Sequence, residues 1–136
     1  MLALDKNGTV YSWGRFDMGQ LGIGTNIGSN IAVKPEYSDT FVFKVRISKD
    51  EQFGKETKNK IIQIACGSEH SLAVTAGGDL YSWGWGEHGN LGHGTTTNEY
   101  LPKKVSKFGE ANGCYVRDVR TGGASVFARV DRTTHL

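Results

Sequence analysis

Gly8-Thr9-Val10-Tyr11-Ser12-Trp13-Gly14 recurs 70 residues further on as Gly78-Asp79-Leu80-Tyr81-Ser82-Trp83-Gly84. The match runs without a gap from Leu2–Thr25 to Leu72–Thr95, with 12 of 24 positions identical. It includes a glycine cluster, Gly19-Gln20-Leu21-Gly22-Ile23-Gly24-Thr25 against Gly89-Asn90-Leu91-Gly92-His93-Gly94-Thr95. Self-similarity at a fixed period marks a repeat architecture, in which each copy is one supersecondary unit that buries its apolar face only against a neighbour. A weaker third copy begins at Val116: Val119, Gly122, Phe127 and Ala128 fall 55 residues after Ile64, Gly67, Leu72 and Ala73.

The two periods differ by 15 residues, and the difference lies between Thr25 and Ile61, a span of 36 where Thr95 to Val116 is 21. An insertion is expected there, seated at 48–60, a charged stretch whose one bulky apolar residue is Phe53. Such a composition predicts a solvated loop. The chain divides into a first repeat over 1–60, incomplete at its start, a complete repeat over 61–115 and a truncated third over 116–136.

Each copy reads as strand, tight turn, strand: Leu2–Leu4 and Thr9–Trp13 around Asn7-Gly8, then Ser71–Val74 and Asp79–Trp83 around Gly77-Gly78. Asn-Gly and Gly-Gly suit a two-residue type I′ turn, in which both central residues take positive φ. Ile61–Cys66 is β-branched and apolar and predicts a buried strand, while Phe41–Ile47 alternates late in its run. No segment of ten or more residues carries a capped helical stripe. The reading is an all-β chain of about four short antiparallel strands per unit, the signature of propeller blades, with about two blades present.

The 136 residues carry 16 Lys+Arg against 14 Asp+Glu, a net charge of +2, with 38% apolar residues, 19 glycines and 2 prolines. That balance fits an ordinary globular domain rich in turns and gives no polybasic or polyacidic segment. The longest near-apolar run, Ile61–Cys66, is far short of the ~20 residues of a membrane span. Met1–Asp5 lacks the basic start and apolar core of a secretory signal, which favours an intracellular setting. Cys66 and Cys114, without a C-x-x-C, predict two free thiols and no zinc knuckle.

The stretch Cys66-Gly67-Ser68-Glu69-His70-Ser71-Leu72-Ala73-Val74-Thr75-Ala76-Gly77-Gly78-Asp79-Leu80-Tyr81-Ser82-Trp83-Gly84, followed by Gly89-Asn90-Leu91-Gly92, closely resembles the repeats of the regulator of chromosome condensation family. The resemblance covers roughly 2–35 and 61–130. It implies a β-propeller, seven-bladed in the best-known members, that binds other proteins. A ring of that size needs several hundred residues. The chain is therefore expected to be a fragment of a longer product, or else to cover its open sheet edges with copies of itself or a partner. Trp83-Gly84-Trp85-Gly86-Glu87-His88-Gly89-Asn90 looks in addition like the last blade of the fungal alpha-tubulin suppressor type. That likeness implies a small zinc protein as partner and a role in diphthamide synthesis and tRNA wobble-uridine modification.

Gly84-Trp85-Gly86-Glu87-His88-Gly89 also satisfies the G-x-G-x-x-G of dinucleotide sites. The phosphate site needs a helix opening at the motif, and Asn90-Leu91-Gly92-His93-Gly94 cannot start one. The glycines are expected to be turn positions, as are Gly14, Gly22 and Gly92. His70 lies four residues after Cys66, without further ligands nearby. It is expected to be a structural imidazole that the Gly67-Ser68 turn aims at backbone groups, and no metal or other cofactor is implied. Trp13 and Trp83 share one repeat position and predict blade packing.

Trp85, Glu87 and His88 differ from their counterparts Arg15, Asp17 and Met18 while the flanking glycines persist. Variation on a fixed scaffold is where loop function sits, so Trp85, Glu87, His88 and Asn90 are the candidate partner-binding residues. No nucleophile motif, oxyanion loop or paired carboxylate accompanies Glu87 and His88, which argues against covalent catalysis. Lys103, Lys104, Lys107, Arg117, Arg120, Arg129 and Arg132 read as a solvated face, too sparse for a nucleic-acid surface. Two functions emerge: a non-catalytic protein-interaction module, and a guanine-nucleotide exchange factor for a Ran-like small GTPase. The setting is cytoplasmic or nuclear.

Overall fold

The computed structural model describes residues 1–15, 17–24, 42–48 and 56–133, and these are all-β. Three antiparallel sheets follow one another along the chain. The first holds β1 (Leu2–Leu4), β2 (Val10–Ser12) and β3 (Phe43–Val45); the second β4 (Ile61–Cys66), β5 (His70–Thr75), β6 (Leu80–Gly84) and β7 (Glu99–Lys104); the third β8 (Cys114–Gly122) and β9 (Ser125–Arg132). Among the described residues helix is confined to two single 3-10 turns, Thr57–Asn59 and Glu110–Asn112. No helix among the described residues is long and apolar enough to cross a membrane. Most of the expected insertion at 48–60 and the start of the Phe41–Ile47 run lie outside the described residues.

Period-2 alternation on the middle sheet feeds two separate cores. Ala73, Tyr81 and Trp83 face Val10, Val45, Leu2 and Leu4 of the first sheet, together with Ile61 and Ile64. Leu72, Val74, Leu80 and Val105 face Val116, Val119, Val126 and Val130 of the third. The two layers are the same interface written twice. Leu2, Leu4 and Val10 recur as Leu72, Val74 and Leu80 at the offset of 70, and Ile61 and Ile64 recur as Val116 and Val119 at the offset of 55. A sheet packed on both faces by like sheets is the construction of a propeller blade. Among the described residues a four-stranded blade stands between a three-stranded and a two-stranded sheet, in keeping with a partial propeller of about two blades.

Two local expectations are corrected. The hairpin turns carry a single positive φ each, at Gly8 (88°) and Gly78 (89°), and none at Asn7 or Gly77. Gly8 N–H donates to the Asp5 carbonyl and Asp5 N–H to that of Thr9; Gly78 to Thr75 and Thr75 to Asp79 repeat the pattern. This is a longer connection closed by a left-handed glycine at a bulge. The Asp5 carboxylate holds the first turn by accepting from the N–H groups of Asn7 and Thr9, bonds that draw its pKa below the ordinary value.

Ile61–Cys66 is an edge strand, and the fully buried strands are β5 beside it and β6 beyond. A register shift between Ile61 and Gln63 turns Ile62 outward, and the same shift between Val116 and Asp118 turns Arg117 outward in the third repeat.

Candidate functional site

The connections at one end of the three sheets form a rim. Residues 13–24 follow β2, 67–69 join β4 to β5, 85–98 follow β6, and 123–124 join β8 to β9. Neighbouring loops are stitched together: Trp85 N–H donates to the Glu69 carbonyl (2.8 Å) and Ser68 N–H to that of Gly123 (3.0 Å). Glu69 spans two repeats, since its carboxylate also meets Arg15 at 2.9 Å. Arg15 in turn forks onto Asp17, with both bonds at 2.7 Å. The Arg15 guanidinium holds the Asp17 carboxyl down at about 2, against a smaller opposing push from desolvation.

Where the first repeat has this ionic pair, the second has an aromatic one. The Trp85 indole and His88 imidazole meet edge to face, with ring centroids 4.5 Å apart. A turn closed by Gly89 N–H on the Gly86 carbonyl (2.9 Å) lifts Glu87 and His88 into solvent. Gly86 N–H is held by the Asn98 side-chain oxygen at 3.0 Å. Trp85 is half-buried and Glu87 and His88 are exposed. The structure therefore brings three of the four candidate residues to one surface. Asn90 turns inward instead: its Nδ2 donates to the Trp85 carbonyl (2.9 Å), and its Oδ1 is buried without a partner among the described residues. It braces the loop from within.

The G-x-G-x-x-G stretch makes turns and opens no helix. Gly84 has φ +102°, and a Cβ there would lie 2.6 Å from the Glu69 carbonyl; Gly14 has φ +98°. Gly22, at φ +69°, lies against the Trp83 indole, where a Cβ would stand 2.7 Å from Nε1. Trp83 is wholly buried, and its Nε1 donates to the Gln20 carbonyl at 3.0 Å. Ser71 Oγ donates to the same carbonyl at 3.0 Å, so the repeat tryptophan pins the preceding repeat's loop. Trp13 is half-buried.

His70 is buried, as a structural role requires, but neither ring nitrogen meets a partner among the described residues. The expected bonds from the ring to loop backbone are absent; the loop closes through backbone instead, Gly67 N–H to the His70 carbonyl at 2.9 Å. Gly67 presses on the imidazole face, leaving no room for a Cβ. Desolvation lowers the His70 pKa, keeping the ring neutral. Cys66 and Cys114 are free thiols.

One contact escaped the sequence: Ser82 Oγ lies 2.8 Å from His93 Nε2. Ser82 is fully buried and donates its proton to the Leu91 carbonyl at 2.6 Å, so the facing ring nitrogen is the donor and the pair is no base and nucleophile. Ser12 makes the same bond to Leu21 (2.8 Å) with Ile23 in place of the histidine. The serine's repetition was the available signal. The ion pair Arg15–Glu69 had none, because the two residues are 54 positions apart.

At the opposite end, a depression of about 400 Å³ is lined by Lys58, Gly77, Asp79, Lys104 and Glu110 among others. Its charges neutralise one another, Lys104 with Asp79 at 3.1 Å and Lys58 with Glu110 at 3.8 Å. The seven late basic residues are all exposed, and Lys103, Arg117 and Arg120 are likewise paired with Glu99, Asp131 and Asp118.

The family model of the regulator of chromosome condensation (RCC1) repeat matches residues 7–74 and 77–129. The human E3 ubiquitin-protein ligase HERC2 is 38% identical over 121 residues, which is 89% of this chain and 2% of that protein. The secretion-regulating guanine nucleotide exchange factor of Bos taurus is 36% identical over 105 residues, 77% of this chain and 22% of that one. Among solved structures, Prp20p from Saccharomyces cerevisiae, described with its binding to Gsp1p and histones, superposes with a TM-score of 0.68 at 25% identity. The overlap covers 98% of this chain and 29% of that one. The chain thus spans less than a third of the length of each of these relatives.

Proposed function

Because the chain belongs to the regulator of chromosome condensation repeat family, we propose that it is a non-catalytic docking module whose rim loop at Trp85, Glu87 and His88 captures a partner protein. The observation that carries this reading is the replacement of the self-satisfied Arg15–Asp17 fork by a half-buried indole, an exposed carboxylate and an exposed imidazole on the same turn. An aromatic anchor beside polar groups is the composition of a binding hot spot. The partner is met in the cytoplasm or nucleus.

A second reading is guanine-nucleotide exchange on a small GTPase, favoured by the relative named as an exchange factor. Exchange needs a wedge and no acid–base pair, so the absence of a catalytic constellation does not count against it. The small zinc protein, with its roles in diphthamide synthesis and tRNA wobble-uridine modification, rests on the short Trp83–Asn90 likeness alone.

The test is affinity capture of the tagged chain from its own cells beside the double variant Trp85→Ala, His88→Ala, with release of labelled GDP from a Ran-like GTPase measured in parallel. Loss of a captured protein by at least ~2 kcal/mol of affinity, with the fold retained, is the expected result. Accelerated GDP release selects exchange, and a zinc protein lost with the variant selects the narrower docking reading. Capture that the double variant leaves unchanged removes the loop from consideration.

A further inference from the structure

Arg15 and Trp85 hold one repeat position, as do Asp17 and Glu87, and Glu69 and Ala124. In the first repeat the charged groups close on one another. Arg15 Nε and Nη2 each donate to an Asp17 carboxylate oxygen at 2.7 Å, and Nη1 meets Glu69 Oε1 at 2.9 Å. Every nitrogen of the guanidinium is thereby taken up by two carboxylates, one on its own turn and one on the next repeat.

The second repeat keeps the carboxylate and loses the cation. Glu87 is exposed and makes no ion pair or hydrogen bond among the described residues. Trp85 brings no charge to the turn, and Ala124 brings no second carboxylate. Glu87 is longer than Asp17 by one methylene, so its carboxylate can reach further from the turn. Across the described rim three carboxylates, Asp17, Glu69 and Glu87, stand against one guanidinium, in a chain whose net charge is +2. Arg15 is committed to the first two, and Glu87 is left without a cation.

The first repeat thus displays, within the chain, what a carboxylate at this position takes. We propose that the rim loop of the second repeat receives an arginine side chain of the partner protein, its guanidinium forked onto the Glu87 carboxylate and laid against the Trp85 indole. Arginine suits this pair of groups better than lysine: its planar fork meets both carboxylate oxygens, as Arg15 does on Asp17, and the same plane stacks on an aromatic face. The indole also shields one side of the ion pair from water, and an exposed pair without such a wall contributes little. The edge-to-face contact with His88, at 4.5 Å between centroids, holds the indole in place. The inference rests on the docking reading and adds to it the chemistry of what docks, an exposed arginine-bearing segment.

The probe is a phage-displayed library of random heptapeptides selected on the full 136-residue chain. The selected peptides are expected to share an arginine. For one of them, followed by fluorescence polarisation, replacing that arginine by its neutral isostere citrulline and making Glu87→Gln in the protein each weaken binding about tenfold. The two changes together weaken it no more than either alone, the mark of a direct contact. Glu110→Gln, which removes the same charge at the opposite end of the sheets, leaves binding unchanged. Glu87→Gln retains the fold by circular dichroism, since the side chain is exposed and unpaired.

Peptides that require Trp85 and His88 but carry no arginine, or that bind Glu87→Gln as tightly as the natural chain, overturn the arginine site and leave the docking reading standing. Peptides indifferent to the double variant Trp85→Ala, His88→Ala overturn both. A library that yields no binder overturns the arginine site, because a forked guanidinium on an aromatic wall is a contact that a short peptide can make.

Discussion

His70 holds an imidazole in the interior with neither nitrogen bonded among the described residues, so its protonation state bears on the stability of the fold. Its pKa is ordinarily 6.5 and is lowered by desolvation. Above about that pH the ring is neutral in both folded and unfolded chains. As the pH falls below it, the unfolded chain takes up the proton first, so stability declines down to the lowered folded value. Replacing a buried polar group whose bonds are unmade by an apolar one is close to neutral. His70→Leu is expected to unfold within ~1 kcal/mol of the natural chain at pH 7.5 and to flatten the acid-side decline, as thermal melts between neutral and mildly acidic pH will read. His93, also lowered by desolvation, retains its share. The burial of this histidine was legible from its place in the repeat. Its lack of partners was not, because they depend on what the folded loop brings near the ring.

Between elements, the decisive contact is Trp83 on the preceding loop. Gly22 and Gly92 occupy one repeat position with similar dihedrals, φ +69° and +78°, so alanine at either costs the same backbone strain. They differ in what a Cβ meets: the Trp83 indole at 2.7 Å against a Val105 methyl at 3.4 Å. Gly22→Ala is therefore expected to cost more than Gly92→Ala by ~1–3 kcal/mol, measured as the difference of two denaturant titrations. Equal losses would show that strain alone sets the cost.

The middle sheet places Tyr81 in the same layer, where burial, with a contribution from Asp79, pushes its hydroxyl up to about 12. Strand existence was readable here from alternation and turn residues. Which strand is buried was not: β4 carries the most apolar run and lies at an edge, while β5, with histidine, serine and threonine, is enclosed because sheets cover it on both faces.

For the molecule as a whole, two equivalent layers hold three sheets in a row, so stability is a sum of nearest-neighbour interfaces. Val119→Ala removes buried methyl groups from the layer under β8 and β9 and leaves the layer under the first sheet untouched. Hydrogen exchange is expected to quicken in β8 and β9 by the equivalent of ~1–2 kcal/mol while β2 and β3 keep their protection. Uniform loss across all three sheets would mean that the row unfolds as one cooperative unit.

The sequence by itself determined the repeat, the all-β class, the propeller family and the turn positions, because each of these is written in local spacing: glycines where chirality forbids other residues, alternation where a strand has two faces. Only the tertiary structure decided that Asn90 points inward, that Arg15 reaches Glu69, that Ile62 is thrown out at a bulge, and that the loop buried in one repeat is open in the next. Asn90 and Ile62 are set by how a loop closes and where a strand pair slips in register, while Arg15 and the loop at Gln20 are set by contacts between residues more than fifty positions apart, which leave no mark on the local pattern of either.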